Sequence, residues 1–325
     1  MTRPARTLFL DRRPGEVRAA VVEGGRLVEM HLERASDGPR PGARWGARLD
    51  RDPWGRPVVR LGASLALLDA RPDGVPDGAL LEVEVVRQAI PEPGRQRPAR
   101  ARVVGRSAER EGELKTAPTL EARLGPAEGP FPADVAAAWA EEWALAETGR
   151  VAIAGGELRF SPTPAFLAVD VDGWPDPVAA AQAIARRLRL WGVGGGIAVD
   201  FPTRPGRAWR LAAARAFDAA MAGLAFERTG INGFGLLQVV RPRRYPSILD
   251  RALLERTWTA ALGLLDQALR EPRPGRLALV ARPEVAACLK AASTLLTQVA
   301  RQAGRPVEVV ADPLAGEGHV EVRMA

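Results

Sequence analysis

The sequence predicts a mixed α/β protein built from several domains. Three observations support this: a length of 325 residues, short β-rich runs separated by turn residues in the first third, and an apolar strand–helix–strand unit near the middle. A hydrophobic fraction of 46% and a mean hydropathy of −0.10 are typical of a globular chain. No apolar run approaches the roughly 20 residues that a membrane helix needs. We therefore expect a cytoplasmic protein without a membrane partner.

The first third of the chain predicts two β-rich modules. Residues 7 to 34 alternate apolar and polar side chains around Gly24 and Gly25, which predicts a β-hairpin or meander. Residues 42 to 104 contain short β-rich runs with Asp, Pro and Gly clusters between them, which is typical of a small barrel or OB-like module. Residues 95 to 130, rich in Arg, Glu and Pro, are interpreted as an exposed connector.

The middle of the chain predicts a helix, a hairpin and then alternating strands and helices. Residues 132 to 147 have helical periodicity, with Trp139 and Trp143 on one face as a core stripe. A hairpin is expected over residues 151 to 160, with a glycine pair at its turn. From residue 165 onward the apolar runs alternate between strand and helix patterns.

Three aspartates follow two apolar strands of this alternating region. The strand at 165 to 173 contains Asp170 and Asp172, and the strand at 196 to 201 contains Asp200. Thirty residues separate Asp170 from Asp200, which is the length of one βαβ unit. A right-handed crossover makes such strands parallel, so their carboxyl ends emerge at one edge of the sheet. We expect the three carboxylates to converge where open α/β sheets bind ligands.

Converging carboxylates predict a site for a hard cation. Carboxylates repel one another unless a cation lies between them, and oxygen ligands select Mg²⁺ or Mn²⁺. One cysteine and two histidines leave little for zinc, so no zinc is expected. The predicted ligands are two or three of the aspartates Asp170, Asp172 and Asp200. The alternative is that each aspartate only caps the turn or helix that follows it.

The basic charge of the chain is concentrated in two stretches. The formal net charge is +7, but nearly all of the cations are arginines, so part of the pI near 10.8 reflects the high arginine pKa. Residues 87 to 110 hold seven arginines against two glutamates, a net +5, and residues 201 to 256 hold ten arginines against four acids, a net +6. Such stretches favour a polyanionic partner.

Six arginines of these stretches are candidates for RNA contact. The arginines of the first group alternate along residues 95 to 102, which predicts either one face of an extended segment or a disordered basic linker. The arginines of the second group follow a predicted strand, in a turn that either is only solvated or contacts phosphate. The candidates are Arg97, Arg100, Arg102, Arg241, Arg243 and Arg244.

Four segments together resemble the catalytic core of the ribonuclease E/G family in order, spacing and local sequence. They are TPAFLAVDVDG (163–173), AAAQAIARRLRL (179–190), GVGGGIAVDF (192–201) and INGFGLLQVVRPR (231–243). Looser similarity extends to EVRAAVVEGGRLVEMHLER near the amino terminus and RPVEVVADPLAGEGHVEV near the carboxyl terminus. The resemblance covers nearly the whole chain.

The resemblance implies both a fold and an activity. The implied fold is a split RNase H-like N-terminal part with an inserted S1-like OB module, a DNase I-like α/β catalytic core and a small C-terminal α/β domain. The corresponding segments are 1–38 (N-terminal hairpin part), 39–105 (OB module), 106–160 (connector and remainder of the RNase H-like part), 161–246 (catalytic core) and 247–325 (C-terminal domain). The implied activity is Mg²⁺-dependent endonucleolytic cleavage of single-stranded RNA, with the metal held by Asp170 and Asp200.

The chain departs from the family at several positions. Asp172 stands where the family has asparagine, so the resemblance implies an assisting catalytic role for Asp172. Trp191 and Gly233 stand where the family has arginine. The region that senses RNA 5′ ends and the paired zinc-link cysteines are missing, so an oligomer would not be zinc-linked. The replacements at Trp191 and Gly233 remove two cations that could stabilise charge in the transition state. The alternative function is therefore a catalytically degenerate RNA-binding protein on the same scaffold. A metal-dependent phosphoesterase with a smaller substrate is a third hypothesis.

Overall fold

The protein has a mixed α+β fold in a computed structural model that describes residues 5–316 and 318–323. Over these residues it contains eight helices and several β-sheets. Its contacts divide the chain into two compact units. The first holds residues up to Phe9, Ala19–His31 and Asp37–Leu254, and the second holds Leu10–Arg18, Leu32–Ser36 and the chain from Glu255 onward. No helix of the described part is both long and apolar enough to cross a membrane.

The N-terminal segment forms a three-stranded sheet of β1 (Arg6–Arg13), β2 (Glu16–Glu23) and β3 (Arg26–Arg34) in sequence order. Gly24 and Gly25 join the last two strands, with φ angles of 56° and 75°. Two consecutive positive φ angles are those of a type I′ turn, which favours glycine and matches the twist of a hairpin. The predicted meander is confirmed.

The next segment forms a five-stranded, OB-like barrel. The strands of this region are β4 (Arg44–Arg51), β5 (Pro57–Leu61), β6 (Ser64–Leu68), β7 (Leu80–Arg87), β8 (Ile90–Glu92), β9 (Arg95–Arg97), β10 (Ala99–Gly105) and β11 (Gly112–Lys115). The barrel runs β4-β5-β6-β10-β7 and closes by pairing β4 with β7, while β6 and β10 are parallel. The predicted OB-like module is confirmed.

Part of the Arg-rich stretch from residue 95 to 130 belongs to the barrel sheet: β10 is a barrel strand and β11 pairs with β4, so the interpretation as an exposed connector is wrong for these two strands. Ala99 and Ala101 of β10 are buried in the barrel core, and Val103 packs against that core. The arginines alternate with these residues and face outward because side chains along a strand alternate between its two faces. The disordered basic linker is therefore excluded, and the extended face is confirmed for Arg100 and Arg102.

Helices and a six-stranded mixed sheet complete the first unit. Its elements are α1 (Leu120–Leu124), α2 (Ala133–Thr148), β12 (Arg150–Ile153), β13 (Gly156–Pro162), β14 (Leu167–Gly173), α3 (Pro177–Leu190), β15 (Gly195–Asp200), α4 (Ala208–Ala220), β16 (Glu227–Arg228), β17 (Leu236–Arg241) and α5 (Ile248–Leu254). The strand order is β12-β13-β14-β15-β17-β16, with β14 and β15 parallel and the other pairs antiparallel. Trp139 of α2 is buried, as predicted.

Local sequence explains the strand–helix–strand unit of this sheet. The Asp176 side chain accepts a hydrogen bond from the amide of Ala179 at 2.9 Å and so caps α3, and Pro177 fills the first helical position. An aspartate cap and a proline at that position favour a helix start because the first amides have no partner within the helix. The helix then returns the chain to the start of β15, beside and parallel to β14.

The two faces of the six-stranded sheet differ. One face is buried and contains Val169, Val199 and Val239. Helix α3 lies on this face, because Arg241, which shares the face, donates to the Leu188 carbonyl of α3 at 2.6 Å. We call the opposite side the open face, since none of its described residues is buried. The open face consists of Glu157, Arg159, Ser161, Ala168, Asp170, Asp172, Gly196, Ala198, Asp200, Leu236, Gln238 and Val240.

The second unit is a small α/β domain. Its elements from residue 256 are α6 (Arg256–Arg270), β18 (Arg276–Ala281), α7 (Pro283–Ala291), α8 (Ser293–Ala303), β19 (Val307–Ala311) and β20 (His319–Arg323), with the strand order β19-β18-β20. Arg34 connects the strands of this unit to α6. Its guanidinium binds Glu16 at 3.0 Å and Glu255 at 2.8 Å, and donates to Thr259 at 3.0 Å.

Trp191, which stands where the family has arginine, lies in the core of the first unit. It is fully buried and its ring meets that of Phe160 edge-on, with centroids 5.1 Å apart. Because it follows α3 and precedes β15, it lies near the start of β15, whereas Asp200 ends that strand. The tryptophan therefore fills core volume away from the carboxylates.

We expect Trp191→Ala to lower the free energy of unfolding by about 3 to 5 kcal/mol, because it removes a buried indole and leaves a cavity. Trp54→Ala is the matched control, since Trp54 is 78% exposed, and its change should stay within about 0.5 kcal/mol. Urea unfolding followed by circular dichroism measures both. Equal shifts for the two variants would contradict the burial of Trp191.

Candidate metal and nucleic-acid site

Asp170 and Asp200 lie side by side on the open face of the six-stranded sheet. They are paired in register on the parallel strands β14 and β15. Neighbouring strands are about 4.8 Å apart, so carboxylates at one level on one face are within reach of a single cation. Both side chains are exposed. The predicted parallel pairing is confirmed, and the metal role of the two aspartates stays a prediction.

This arrangement of like charges destabilises the sheet by itself. Like charges directly opposite each other on neighbouring strands repel, with an effect of up to about 1 kcal/mol. Within the described part of the chain, neither Asp170 nor Asp200 makes a hydrogen bond or ion pair, although the charge of Arg159 lies near Asp170. A bound cation would remove the repulsion and supply the missing partner.

Asp172 is engaged by an arginine, which differs from its predicted role as an assisting metal residue. Arg159 binds Asp172 at 2.8 Å and Glu157 at 2.7 Å. The hydrogen bond that Arg159 donates to Glu157 and the negative charge of Asp172 raise the pKa of Arg159 above its ordinary value. In the part of the chain that is described, no three His, Cys, Asp or Glu side chains form a group that could hold a metal ion. The ion pair places Asp172 beside Arg159, and its assisting role stays a prediction.

The open face thus presents a row of charges across three strands. The register aligns Arg159 with Asp170, and Asp170 with Asp200. Mg²⁺ in proteins is commonly held by one or two carboxylates, with waters and substrate oxygens completing its shell. Two in-register aspartates without a nitrogen or sulfur donor fit this donor set. Arg159 adds a positive charge beside them.

Three loops at the carboxylate edge are tied together by side chains. Arg204, which follows β15, donates to the carbonyl of Pro175, which follows β14. The hydroxyl of Thr203 donates to the carbonyl of Phe234, which precedes β17, at 3.1 Å. The Asn232 side chain accepts from the Phe234 amide at 2.9 Å. These bonds hold the loops in a defined arrangement around the aspartates.

Two aromatic residues of these loops are exposed, and sequence reasoning assigned them no role. Trp174 is 63% exposed and Phe234 is 80% exposed. The Arg204 guanidinium lies over the Trp174 ring, 4.1 Å from its centroid. Their signal in the sequence is their position: each is an aromatic residue in a turn next to a strand, outside any apolar periodicity.

A cation lies beside Gly233, the second position at which the family has arginine. Arg210 of α4 donates to the carbonyl of Asn232 at 3.4 Å. Its Nη1 atom would be 3.7 Å from a Cβ atom built on Gly233. The edge loops therefore keep a guanidinium close to the position where the glycine removes one.

Three of the predicted RNA-contacting arginines, at the end of β17 and just after it, lie at the opposite end of the sheet from the aspartates along the strand direction. Arg241 pairs with Gly195 at the start of β15, about 17 Å along the strand from Asp200 at roughly 3.3 Å per residue. Its Nη1 atom donates to the carbonyls of Leu188 and Val193, so Arg241 ties β17 to the end of α3, and its phosphate contact stays a prediction. Arg243 binds Asp250 at 2.9 Å. Arg244 is exposed.

The barrel arginines each have a carboxylate partner. Arg97 binds Glu92 at 2.6 Å, Arg100 binds Asp69 at 2.6 Å and Arg102 binds Glu84 at 3.1 Å. Glu92 is buried, whereas the ion pairs of Arg100 and Arg102 are at least partly exposed, and exposed ion pairs contribute little to stability.

Four arginines from distant parts of the sequence form one basic cluster. Arg87 lies near Arg97, Arg100 and Arg243, and burial together with these three charges lowers the pKa of Arg87 to about 10. A hydrogen bond of 2.9 Å from the Gln88 amide to the Arg244 carbonyl joins the barrel to the loop after β17. We call Arg87, Arg97, Arg100 and Arg243 the Arg87 cluster. It unites both basic stretches of the sequence.

No family model matches this sequence, and no curated protein is significantly similar to it. The resemblance to the ribonuclease E/G family therefore stays a prediction, carried by the four core segments and by the placement of their residues.

We expect Mg²⁺ to raise the thermal midpoint of the wild-type protein but not that of Asp200→Asn. A ligand that binds only the folded state stabilises it by about 1.4 kcal/mol at ten times its Kd. In EDTA the order reverses, and Asp200→Asn should be the more stable protein by up to about 1 kcal/mol, because the cross-strand repulsion is gone. Differential scanning calorimetry measures both effects.

Glu227→Gln is the matched control, because Glu227 is an exposed carboxylate on β16 of the same sheet. It should respond to Mg²⁺ as the wild type does. An equal Mg²⁺ response in Asp200→Asn would show that the cation binds elsewhere.

Proposed function

We propose that this chain is a Mg²⁺-dependent endoribonuclease that cleaves single-stranded RNA. The observation that carries the proposal is the in-register pair of Asp170 and Asp200 on the open face. Like charges opposite each other on adjacent strands repel, and a cation bound between the two carboxylates would remove that repulsion. The resemblance to the ribonuclease E/G family concerns these same two positions.

Asp170 and Asp200 would hold the metal through their carboxylate oxygens. Bound there, Mg²⁺ would polarise a phosphoryl oxygen and make water a stronger nucleophile. Mn²⁺ has the same preference for oxygen ligands and would replace it. The two aspartates fix the level on the sheet at which a phosphate is held.

Arg159 would stabilise negative charge on the phosphate that is attacked. Glu157 and Asp172 hold its guanidinium on both sides, so it is oriented before a substrate arrives. A donor that is already oriented stabilises developing charge without reorganisation, an effect of a few kcal/mol at other active sites. Arg204 and Arg210 add positive charge to the loops beside the aspartates.

The barrel supports single-stranded RNA as the substrate. OB folds bind oligonucleotides on their second and third strands and on the loops that flank them. In this chain those strands are β5 and β6, and Trp54 lies on the loop before β5, with Arg56 5.0 Å from its ring centroid. Arg97 of the Arg87 cluster lies in the segment between β7 and β10, which is the other loop, and Arg87 and Arg100 lie on the strands that flank it. Basic grooves with exposed aromatic residues bind single strands through phosphates and stacked bases.

The resemblance also supports a finer assignment of the fold. We assign the three-stranded N-terminal sheet to an RNase H-like part, the barrel to an inserted S1-like module and the six-stranded sheet to a DNase I-like catalytic core. The small α/β domain would then be the C-terminal domain of the family.

The alternative is an RNA-binding protein on a catalytically degenerate scaffold. It is motivated by the replacement of two arginines at Trp191 and Gly233. Trp191 is buried and lies away from the aspartates, and Arg210 lies beside Gly233, so the replacements leave positive charge at the carboxylate edge. This placement favours the enzyme.

The test is cleavage of a fluorescent single-stranded RNA by the wild type, Asp170→Asn, Asp200→Asn and Glu227→Gln. We expect cleavage in Mg²⁺ and none in EDTA. Each aspartate variant should lose at least about 100-fold in rate, the size of loss typical for one catalytic electrostatic contact, and Glu227→Gln should cleave like the wild type. Circular dichroism checks that all four proteins are folded.

Two outcomes would replace the proposal. Salt-sensitive RNA binding without cleavage in Mg²⁺, unaffected by Asp170→Asn, would support the RNA-binding alternative. Cleavage of a small phosphodiester with which long single-stranded RNA does not compete would indicate a phosphoesterase.

A further inference from the structure

We propose that Trp174 and Phe234 form a binding site for unpaired nucleobases on either side of the carboxylate pair. The inference rests on the proposed function, because it names the residues that restrict the same site to single strands. Trp174 lies four residues after Asp170, and Phe234 lies two residues before Leu236, the partner of Asp200 across β15 and β17. The two rings therefore flank the aspartates along the sheet edge.

The exposure of both rings is unusual for their size. Trp174 is 63% exposed and Phe234 is 80% exposed, although burial of such a side chain would contribute about 1.5 to 3 kcal/mol. Exposed aromatic residues next to a polar site are typical of binding surfaces. In this chain they flank two carboxylates on the same sheet edge.

The Trp174 ring and the Phe234 backbone are held in place by neighbouring side chains. The Arg204 guanidinium covers one face of the Trp174 ring at 4.1 Å and also donates to the Pro175 carbonyl. With one face covered and the residue 63% exposed, the other face is open to solvent. The Phe234 backbone is fixed at both polar atoms, by Asn232 and Thr203. Such preorganised groups lose little conformational entropy when a ligand binds.

The surrounding charge selects a nucleic acid strand as the ligand. Arg204 and Arg210 provide cations for backbone phosphates beside the rings. A flat apolar face next to guanidinium groups accepts a nucleobase whose phosphates lie outside the stack. A base within a duplex is stacked on both faces and paired at its edge, so it cannot reach either ring without unpairing. The site therefore favours unpaired bases.

The test is the affinity of a labelled 12-nucleotide RNA, measured by fluorescence anisotropy in EDTA so that no cleavage occurs. We expect Trp174→Ala and Phe234→Ala each to weaken binding about tenfold, within the range for one stacked base. Trp174→Phe should bind like the wild type because it keeps an aromatic face. The same RNA with abasic positions should bind the wild type and the alanine variants equally.

Phe166→Ala is the matched control. Phe166 is 44% exposed and lies just before β14, at the edge of the same sheet opposite to Asp170. It should leave the affinity unchanged. If Trp174→Ala and Phe234→Ala bind the unpaired RNA as tightly as this control, or lose equal affinity for the abasic RNA, the inference is wrong.

The outcome is separable from that of the proposed function. Loss of affinity in the aromatic variants of a protein that never cleaves in Mg²⁺ would support the stacking site and overturn the nuclease. Asp200-dependent cleavage with unchanged affinity in both alanine variants would overturn the stacking site alone.

Discussion

The register between β14 and β15 is the constraint on which the candidate site depends. It places Asp170 and Asp200 at one level on one face, and a slip of one residue would turn one carboxylate into the packed side of the sheet. The buried valines on the opposite face fix that register, because they must meet the helix layer. Packing on one side of the sheet thus determines the chemistry on the other. The capped start of α3 contributes by setting the length of the crossover between the two strands.

Much of this arrangement could be predicted from local sequence. Apolar runs that end in aspartate, the Asp176 cap and Pro177 together predict a strand–helix–strand unit, and regularly spaced turn residues predict the barrel. The partners of individual charges could not be predicted. Whether Asp172 contacts a metal or Arg159 depends on the register of β13 against β14, which no local pattern specifies. The structural role of Arg241 likewise depends on the position of α3.

The basic residues illustrate the same limit on a larger scale. The two basic stretches, residues 87 to 110 and 201 to 256, are well separated in the sequence, and only the fold brings Arg87 and Arg243 together. The fold also separates residues that are near in sequence. Arg204 lies beside the aspartates, whereas Arg243 lies at the far edge of the sheet, because β17 runs antiparallel to β15. A nucleic acid strand that contacted both Arg204 and Arg243 would extend along the sheet for several nucleotides.

The open face has a consequence for how this scaffold can change. Because side chains alternate along each strand, the residues that stabilise the sheet and the residues that would do chemistry are disjoint sets. Asp170 and Asp200 are exposed, so the fold tolerates substitutions that would remove the proposed metal site. Conversely, a substitution such as one at Trp191 acts on the core and leaves the carboxylates in place. The packing of the core and the charges of the open face can therefore change separately in this part of the chain.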